Sequence, residues 1–418
     1  MYSLKQIAQI TNSEFIGQTD YRVRFFLNDS RALQSAEDTL FIALKTSRNN
    51  GHSFIAGLAE RGVKSFLVME GAFDAAALRN DDVSFIVSKD PLKALQKLAA
   101  HHRRQFSMPV IGITGSNGKT VVKEWLYQAL KNDFAICRSP KSYNSQIGVP
   151  LSVLNLNAGH SLAIFEAGIS EPGEMQTLFE IIQPTIGVLT SIGSAHDEGF
   201  ETREQKLKEK LSLFQGAGKI VINGLHKDKL PAEMLNKTLL VSEFDDADLR
   251  IDIKEHALVL ESSSGINSFK IPFSDKASFF NAATCAAVMK QLGFKELAIG
   301  QKLSVLQPVA LRLEIKNGIN NSLIINDYYN SDLDSIKIAL NYLQQQNRRA
   351  KKIVIVSDIE QSGITASSLY RQLAKLFTFH KIDLVVGIGR EISNHRSLLR
   401  RALCFLMTHS LLYRSSGS

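Results

Sequence analysis

Val110-Ile111-Gly112-Ile113-Thr114-Gly115-Ser116-Asn117-Gly118-Lys119-Thr120 joins an apolar, β-branched run to a glycine-rich turn that ends in Gly-Lys-Thr. A helical pattern follows at once, with Val122, Trp125, Leu126, Ala129 and Leu130 on one face. Strand, glycine turn, helix is an arrangement that grips phosphate. The N–H groups of the turn converge, the helix N-terminus carries partial positive charge, and Lys119 adds a full one. Thr120 is spaced to offer its hydroxyl to a magnesium ion bridging the phosphates. The general pattern, G-x-x-x-x-G-K-[ST], is not met strictly. Five residues separate Gly112 from Gly118, and Ile113 stands where the first glycine belongs. A turn that merely connects strand to helix is the plain alternative; the flanking strand and helix favour phosphate.

The 418 residues suffice for two or three domains, and the 44% hydrophobic content for substantial cores. The net charge of +8 suits anionic small molecules, and no aromatic-interleaved basic stripe points to nucleic acid. Cys137, Cys285 and Cys404 are far apart without ligand spacing and read as thiols of a reducing compartment. The N-terminus shows no long apolar signal-like run, and no apolar run reaches membrane-spanning length. The expectation is a cytoplasmic protein without membrane insertion.

The expected fold is α/β in three domains: a small α/β domain (1–105), a central P-loop domain with a parallel sheet (106–305), and a Rossmann-like domain (306–418). In the first, strands are expected at 39–44, 65–68 and 83–87. His101-His102-Arg103-Arg104 then reads as a solvated helix end. In the second, the runs 161–165, 185–189 and 219–222 are buried, non-alternating strands of a mainly parallel sheet. In the third, strands at 322–325, 352–356 and 383–387, with a helix from about 334, suggest a further βαβ series; Gly387-Ile388-Gly389 is too short for a nucleotide fingerprint.

Ligands of open α/β sheets bind beyond the carboxyl ends of the strands. Glu166 and His196 both follow predicted strands and would face the crevice of Lys119. A carboxylate and an imidazole there suit metal binding or proton transfer, although a helix cap and a backbone hydrogen bond would explain them equally.

These residues resemble the Mur ligase family of peptidoglycan synthesis. Its Gly-Thr-Asn-Gly-Lys-Thr signature stands here as Gly115-Ser116-Asn117-Gly118-Lys119-Thr120, and its Asn-rich segment as Tyr143-Asn144-Ser145-Gln146-Ile147-Gly148-Val149-Pro150. Glu166-Ala167-Gly168, followed by Gly173-Glu174, and Ala195-His196-Asp197-Glu198-Gly199-Phe200 match two further elements. Within the family, Asn326-Asp327-Tyr328-Tyr329-Asn330-Ser331-Asp332-Leu333-Asp334-Ser335 resembles the branch that adds D-alanyl-D-alanine to UDP-N-acetylmuramoyl-tripeptide. The Asp-Asn-Pro-Arg motif of the neighbouring diaminopimelate- or lysine-adding branch is absent from the sequence.

The resemblance implies roles. ATP and two Mg2+ ions are the expected ligands. Gly115, Asn117, Gly118 and Lys119 would hold the ATP phosphates, and Thr120 and Glu166 one magnesium. His196 and a carbamylated lysine would hold the second; Lys210 fits that spacing best and Lys208 next. Asn281 would contact adenine, although the family's preceding His-Asn pair is missing. Arg312 and Asp327 would contact the nucleotide. Ser30 and Arg31, in Asp29-Ser30-Arg31, would hold the uridine diphosphate, and Asn144 and Ser145 would face substrate. Lys119, His196 and Lys210 would carry the catalysis, an amide ligation through an acyl phosphate, in a monomer.

Past about 394 the chain departs from the family pattern. Four arginines and no acidic residue follow Glu391, the family's Lys-Gly-Ser-Arg-like segment is missing, and no alanine racemase domain of the kind often fused to such relatives is present. A truncated or frame-shifted third domain is the expectation, with a basic surface-binding helix as the rival. Two other classes stay open: an amino-acid ligase like folylpolyglutamate synthase, and a nucleotide-binding module without catalysis.

Overall fold

The computed structural model describes residues 1–17, 19–46, 49–73, 82–193, 199–225, 227–254, 257–263, 265–310, 312–328, 332–345, 351–360, 362–399 and, by backbone alone, 403–406. Its fold is α/β and built on separate sheets. The N-terminal sheet has five strands in the order Glu14–Ile16, Ser84–Ser88, Ser65–Met69, Thr39–Ile42, Phe25–Leu27. All its pairs are parallel except the one made by the edge strand Glu14–Ile16.

The central sheet has nine strands. From one edge they run Gly265–Lys270, Ala257–Ser262, Leu249–Lys254, Thr238–Ser242, Lys219–Asn223, Ile186–Leu189, Val110–Thr114, Leu162–Glu166 and Ile136–Arg138. Six consecutive pairs are parallel, from Ile136–Arg138 across to Leu249–Lys254; the last two pairs are antiparallel. Val110–Thr114 and Leu162–Glu166 are buried at every residue, which is why they read as unbroken apolar runs rather than alternating ones. On one face the helix Lys119–Leu130 buries Val122, Trp125, Leu126, Ala129 and Leu130 against the helix Lys276–Gln291 and the strands. Burying each large apolar side chain of this kind contributes about 1.5–3 kcal/mol.

The other face is covered in part by the helix Pro91–Arg103, which joins the N-terminal and central parts in one apolar cluster. Its end is not solvated, contrary to the expectation for 101–104. His102 and Arg103 are buried. His102 Nε2 donates to the Leu156 carbonyl (2.9 Å), and Tyr2 Oη donates to its Nδ1 (2.8 Å). Arg103 donates to the carbonyls of Ile182 (2.8 Å) and Gln183 (3.0 Å), where the helix Glu174–Ile182 ends and a cation is favoured.

In the third part, Leu323–Asn326 pairs antiparallel with Glu314–Asn317 in a sheet of its own, so it does not open the βαβ series expected of it. The parallel series comprises Ile353–Ser357, Leu384–Ile388 and Leu403–Leu406, the last contributed by the atypical tail. The helices Leu333–Gln345 and Ala366–Phe379 supply Leu340, Leu369, Tyr370, Leu373 and Phe377 to its core.

Candidate functional site

The crevice opens where the strand order reverses around Val110–Thr114, with Leu162–Glu166 on one side and Ile186–Leu189 on the other. Gly115 and Gly118 both lie in the left-handed region, at φ +144° and +85°. A Cβ at Gly115 would stand 2.2 Å from Thr190 Oγ1, and one at Gly118 2.5 Å from Asn281 Oδ1. Only glycine lets the backbone approach so closely. Two residues that sequence reading did not single out hold the turn. The Asn117 N–H donates to Ser191 Oγ (3.0 Å), and the Ser116 N–H to the Ser191 carbonyl (2.9 Å). Thr190 Oγ1 donates to the Asn117 carbonyl.

Lys119 folds back on the turn, its Nζ donating to the carbonyls of Gly115 (2.9 Å) and Ser116 (3.0 Å). Burial holds its pKa below the usual lysine value, and the Glu166 carboxylate opposes that shift. Thr120 Oγ1 lies 3.1 and 3.0 Å from the two oxygens of Glu166 and donates to that carboxylate. Asn144 Nδ2 donates to Glu166 Oε1 (2.8 Å). Glu166, the last residue of its strand, is buried. Ser145 accepts from the Gly148 N–H (3.2 Å) beneath the same cavity wall.

Lys210 is buried with Nζ 3.3 Å from the Gly115 carbonyl, whereas Lys208 is exposed. Glu209 fixes this register by accepting from the N–H groups of Gly173 (2.8 Å) and Met175 (3.0 Å). Lys206, one turn earlier, is buried with Nζ 2.6 Å from the Gly193 carbonyl. Burial, then the charges of Lys119 and Lys206, hold the Lys210 pKa well below the lysine range. His196 lies outside the described residues.

Two cavities meet at the turn. One, of about 370 Å³, is lined by Asn117, Gly118, Trp125, Phe273, Asn281, Asp327 and Arg312. The other, of about 510 Å³, is lined by Lys119, Thr120, Asn144, Ser145, Glu166, Lys210 and again Arg312. Both lie in the size range of small-molecule sites. Arg312 Nη2 reaches Thr120 Oγ1 (3.5 Å) and Ser142 Oγ (3.4 Å). Burial pushes Asp327 up to about 6, and its carboxylate accepts from the Leu313 N–H (3.3 Å). Ser335 Oγ donates to Asn117 Oδ1 (3.2 Å), bringing the third part onto the turn.

Ser30 and Arg31 line neither cavity. They form an exposed turn in which Arg31 grips Asp29 through Nε (2.9 Å) and Nη2 (2.8 Å), holding the Asp29 pKa down to about 2.

Among the described residues no three His, Cys, Asp or Glu side chains gather as metal ligands. The Thr120 hydroxyl and buried Glu166 carboxylate are nevertheless hard oxygen donors of the kind a magnesium ion takes. A protonated Lys210, beside two other lysines, would repel a cation; a carbamate carboxylate on its nitrogen would attract one. Among the described residues no helix is long and apolar enough to cross a membrane.

Residues 113–289 match the Mur ligase middle domain. The UDP-N-acetylmuramoyl-tripeptide–D-alanyl-D-alanine ligase of Bacillus subtilis is 28% identical over 375 residues, covering 87% of this chain and 79% of that one. The enzyme of the same name from Escherichia coli is 26% identical over 401 residues, covering 93% and 86%. The crystal structure of MurF from Acinetobacter baumannii has a TM-score of 0.81 at 25% identity, covering 98% of this chain and 90% of that one. The Thermotoga maritima MurF ligase, solved in complex with ADP, shares the fold with a TM-score of 0.74 at 23% identity, covering 94% and 90%. Residues 113–289 therefore form a Mur ligase middle domain, and the chain is similar over most of its length to UDP-N-acetylmuramoyl-tripeptide–D-alanyl-D-alanine ligases and shares the multi-domain fold of MurF.

Proposed function

We propose that this chain is an ATP-dependent ligase that adds D-alanyl-D-alanine to the terminal carboxylate of a UDP-N-acetylmuramoyl-tripeptide in peptidoglycan synthesis. The observation that carries this reading is the join between the two cavities. Arg312 lines both, so a nucleotide base in one and a reacting phosphate in the other belong to a continuous site.

A carboxylate is a poor acyl donor until one of its oxygens becomes a leaving group. The tripeptide carboxylate attacks the γ-phosphorus of ATP, giving an acyl phosphate and ADP. The dipeptide amine then attacks the acyl carbon, loses its proton, and expels phosphate carrying that oxygen. Two anions must meet in the first step, and Lys119 and Arg312 offset their repulsion. Thr120 and Glu166 would hold one magnesium ion, and His196 with a carbamylated Lys210 a second; the ions would supply charge neutralisation at the transferring phosphoryl group. Asn281 would contact adenine, with Asp327 on the nucleotide beside it. Gly115 and Gly118 would present backbone to the phosphates, and Asn117, whose N–H and carbonyl are held by Ser191 and Thr190, would hold them as part of the braced turn. Asn144 and Ser145 would face the peptide, and Ser30 and Arg31 the uridine diphosphate.

The division into 1–105, 106–305 and 306–418 assigns one task to each domain: holding the UDP substrate, holding ATP, and closing over both. The protein would work as a monomer in the cytoplasm. The test is phosphate release with UDP-muramoyl-tripeptide, ATP and a panel of dipeptides, with the ligated product followed by mass. Release that requires all three substrates, with D-alanyl-D-alanine preferred, is expected. Nucleotide binding without release when all three are supplied would contradict the reading.

A further inference from the structure

Lys123 is fully buried one turn beyond Lys119. Its Nζ donates to the carbonyls of Ser139 (2.9 Å) and Lys141, and lies 3.7 Å from Glu166 Oε2 and 3.2 Å from Glu124 Oε1. Lys141 has φ +49°, a conformation that an L-residue holds only against strain. Ser142 and Asn144 follow, and they contact Thr120 (3.1 Å) and Glu166 (2.8 Å) respectively. One ammonium therefore ties together the phosphate-loop helix, the turn that leads to Ser142 and the cavity residue Asn144, and the carboxylate facing Thr120.

We propose that Lys123 is a positioning residue that holds Glu166 and the 139–141 turn in the register that presents Thr120 and Asn144 to the phosphate cavity, with Ser142 bracing Thr120. Here the ammonium donates to two carbonyls and forms ion pairs with Glu124 and Glu166, so Glu166 is held beside the 139–141 turn before any ligand arrives. This deepens the ATP-dependent reading and rests on it.

The test compares Lys123→Met, which removes the charge, with Lys123→Arg, which keeps it, in three readouts. ADP binding is measured by calorimetry with Mg2+ and with EDTA. Amide exchange is followed over 139–145. Steady-state ligation is split into kcat and KM. The Met variant is expected to raise the Mg2+ concentration needed for tight ADP binding at least ~10-fold while changing binding in EDTA less than ~3-fold. Exchange over 139–145 should rise, and kcat should fall more than KM changes. Arg should restore part of each.

In a Lys123→Met, Glu166→Gln double variant, the effects should not multiply, because Lys123 acts through Glu166. Independent, multiplying effects, or a folded Met variant with native Mg2+ dependence and native exchange, would overturn the proposal. If Lys123→Met does not fold, Glu166→Gln alone makes the test from the other end. Faster exchange over 139–145 supports the proposal and unchanged exchange overturns it. If the native protein itself fails to bind ADP with Mg2+, the nucleotide reading falls, and that result differs from one in which only the variants behave natively.

Discussion

Arg312 and Thr120 stand 192 positions apart in the chain, yet Arg312 Nη2 lies 3.5 Å from Thr120 Oγ1. The first lies just before the first strand of the third part, the second in the opening turn of the phosphate-loop helix. An arginine at that point sees both sides of any anion bound over the turn. It also makes the third part a wall of the site, which water must leave before a reactive acyl phosphate can survive.

Lys119→Ala should lower ATP-dependent ligation at least ~100-fold with the fold retained, the usual effect of removing a charged contact to a transferring group. Phosphate release beside a thermal melt checks both halves. A folded variant with native turnover would remove Lys119 from the mechanism.

Gly118→Ala places a methyl group 2.5 Å from Asn281 Oδ1 at a φ of +85°. The strained conformation should cost about 1–3 kcal/mol of stability. Nucleotide affinity should fall as well, since both the turn and Asn281 must shift. Urea unfolding and ADP titration measure the two losses, and Asn281→Ala in the Gly118→Ala background should recover part of the stability.

Lys210 gives a pH signature. Its pKa is held well below 10.5 in the folded chain, so over the interval between that depressed value and 10.5 the unfolded chain binds the extra proton. Stability therefore rises with pH across the interval. Lys210→Met, which carries no proton, should flatten that rise and should be more stable than the native protein at neutral pH in carbonate-free buffer, while losing ligation. Denaturant titrations at several pH values read the slope.

His102 titrates in the acid direction. Leu156 O can only accept, so Nε2 carries the proton and Nδ1 accepts from Tyr2 Oη. Burial holds its pKa below 6.5, so the unfolded chain binds more protons between the folded value and 6.5, and stability falls as pH falls through that window. His102→Gln should weaken this dependence, as measured by melts between about pH 7 and pH 5.

Much of the site was legible because it is written locally. Gly115 to Thr120 are consecutive, and the strand's carboxyl end brings Glu166 to the crevice beside Thr120, where the sequence expected it. The parallel strands were legible because burial on both faces leaves unbroken β-branched runs. Lys123 and Lys206 were not: a lysine within a helix reads as solvated unless the three-dimensional neighbours are known. His102 and Arg103 were misread for the same reason, because a basic helix end normally faces water and here meets the end of another helix. Thr190 and Ser191 carry no motif, and their hold on Asn117 exists only through sheet order. The antiparallel strands from 249 to 270 were passed over, although Leu249-Arg250-Ile251-Asp252-Ile253-Lys254 alternates apolar and polar residues, and the pairing of 323–326 with 314–317 follows from a turn that no apolar pattern marks.

The most direct test labels the terminal carboxylate of the UDP-muramoyl-tripeptide with heavy oxygen and follows the label during ligation with ATP and D-alanyl-D-alanine. An acyl phosphate predicts that each released phosphate carries a labelled oxygen from the carboxylate. Ligation that releases only unlabelled phosphate would contradict phosphoryl transfer to the acid.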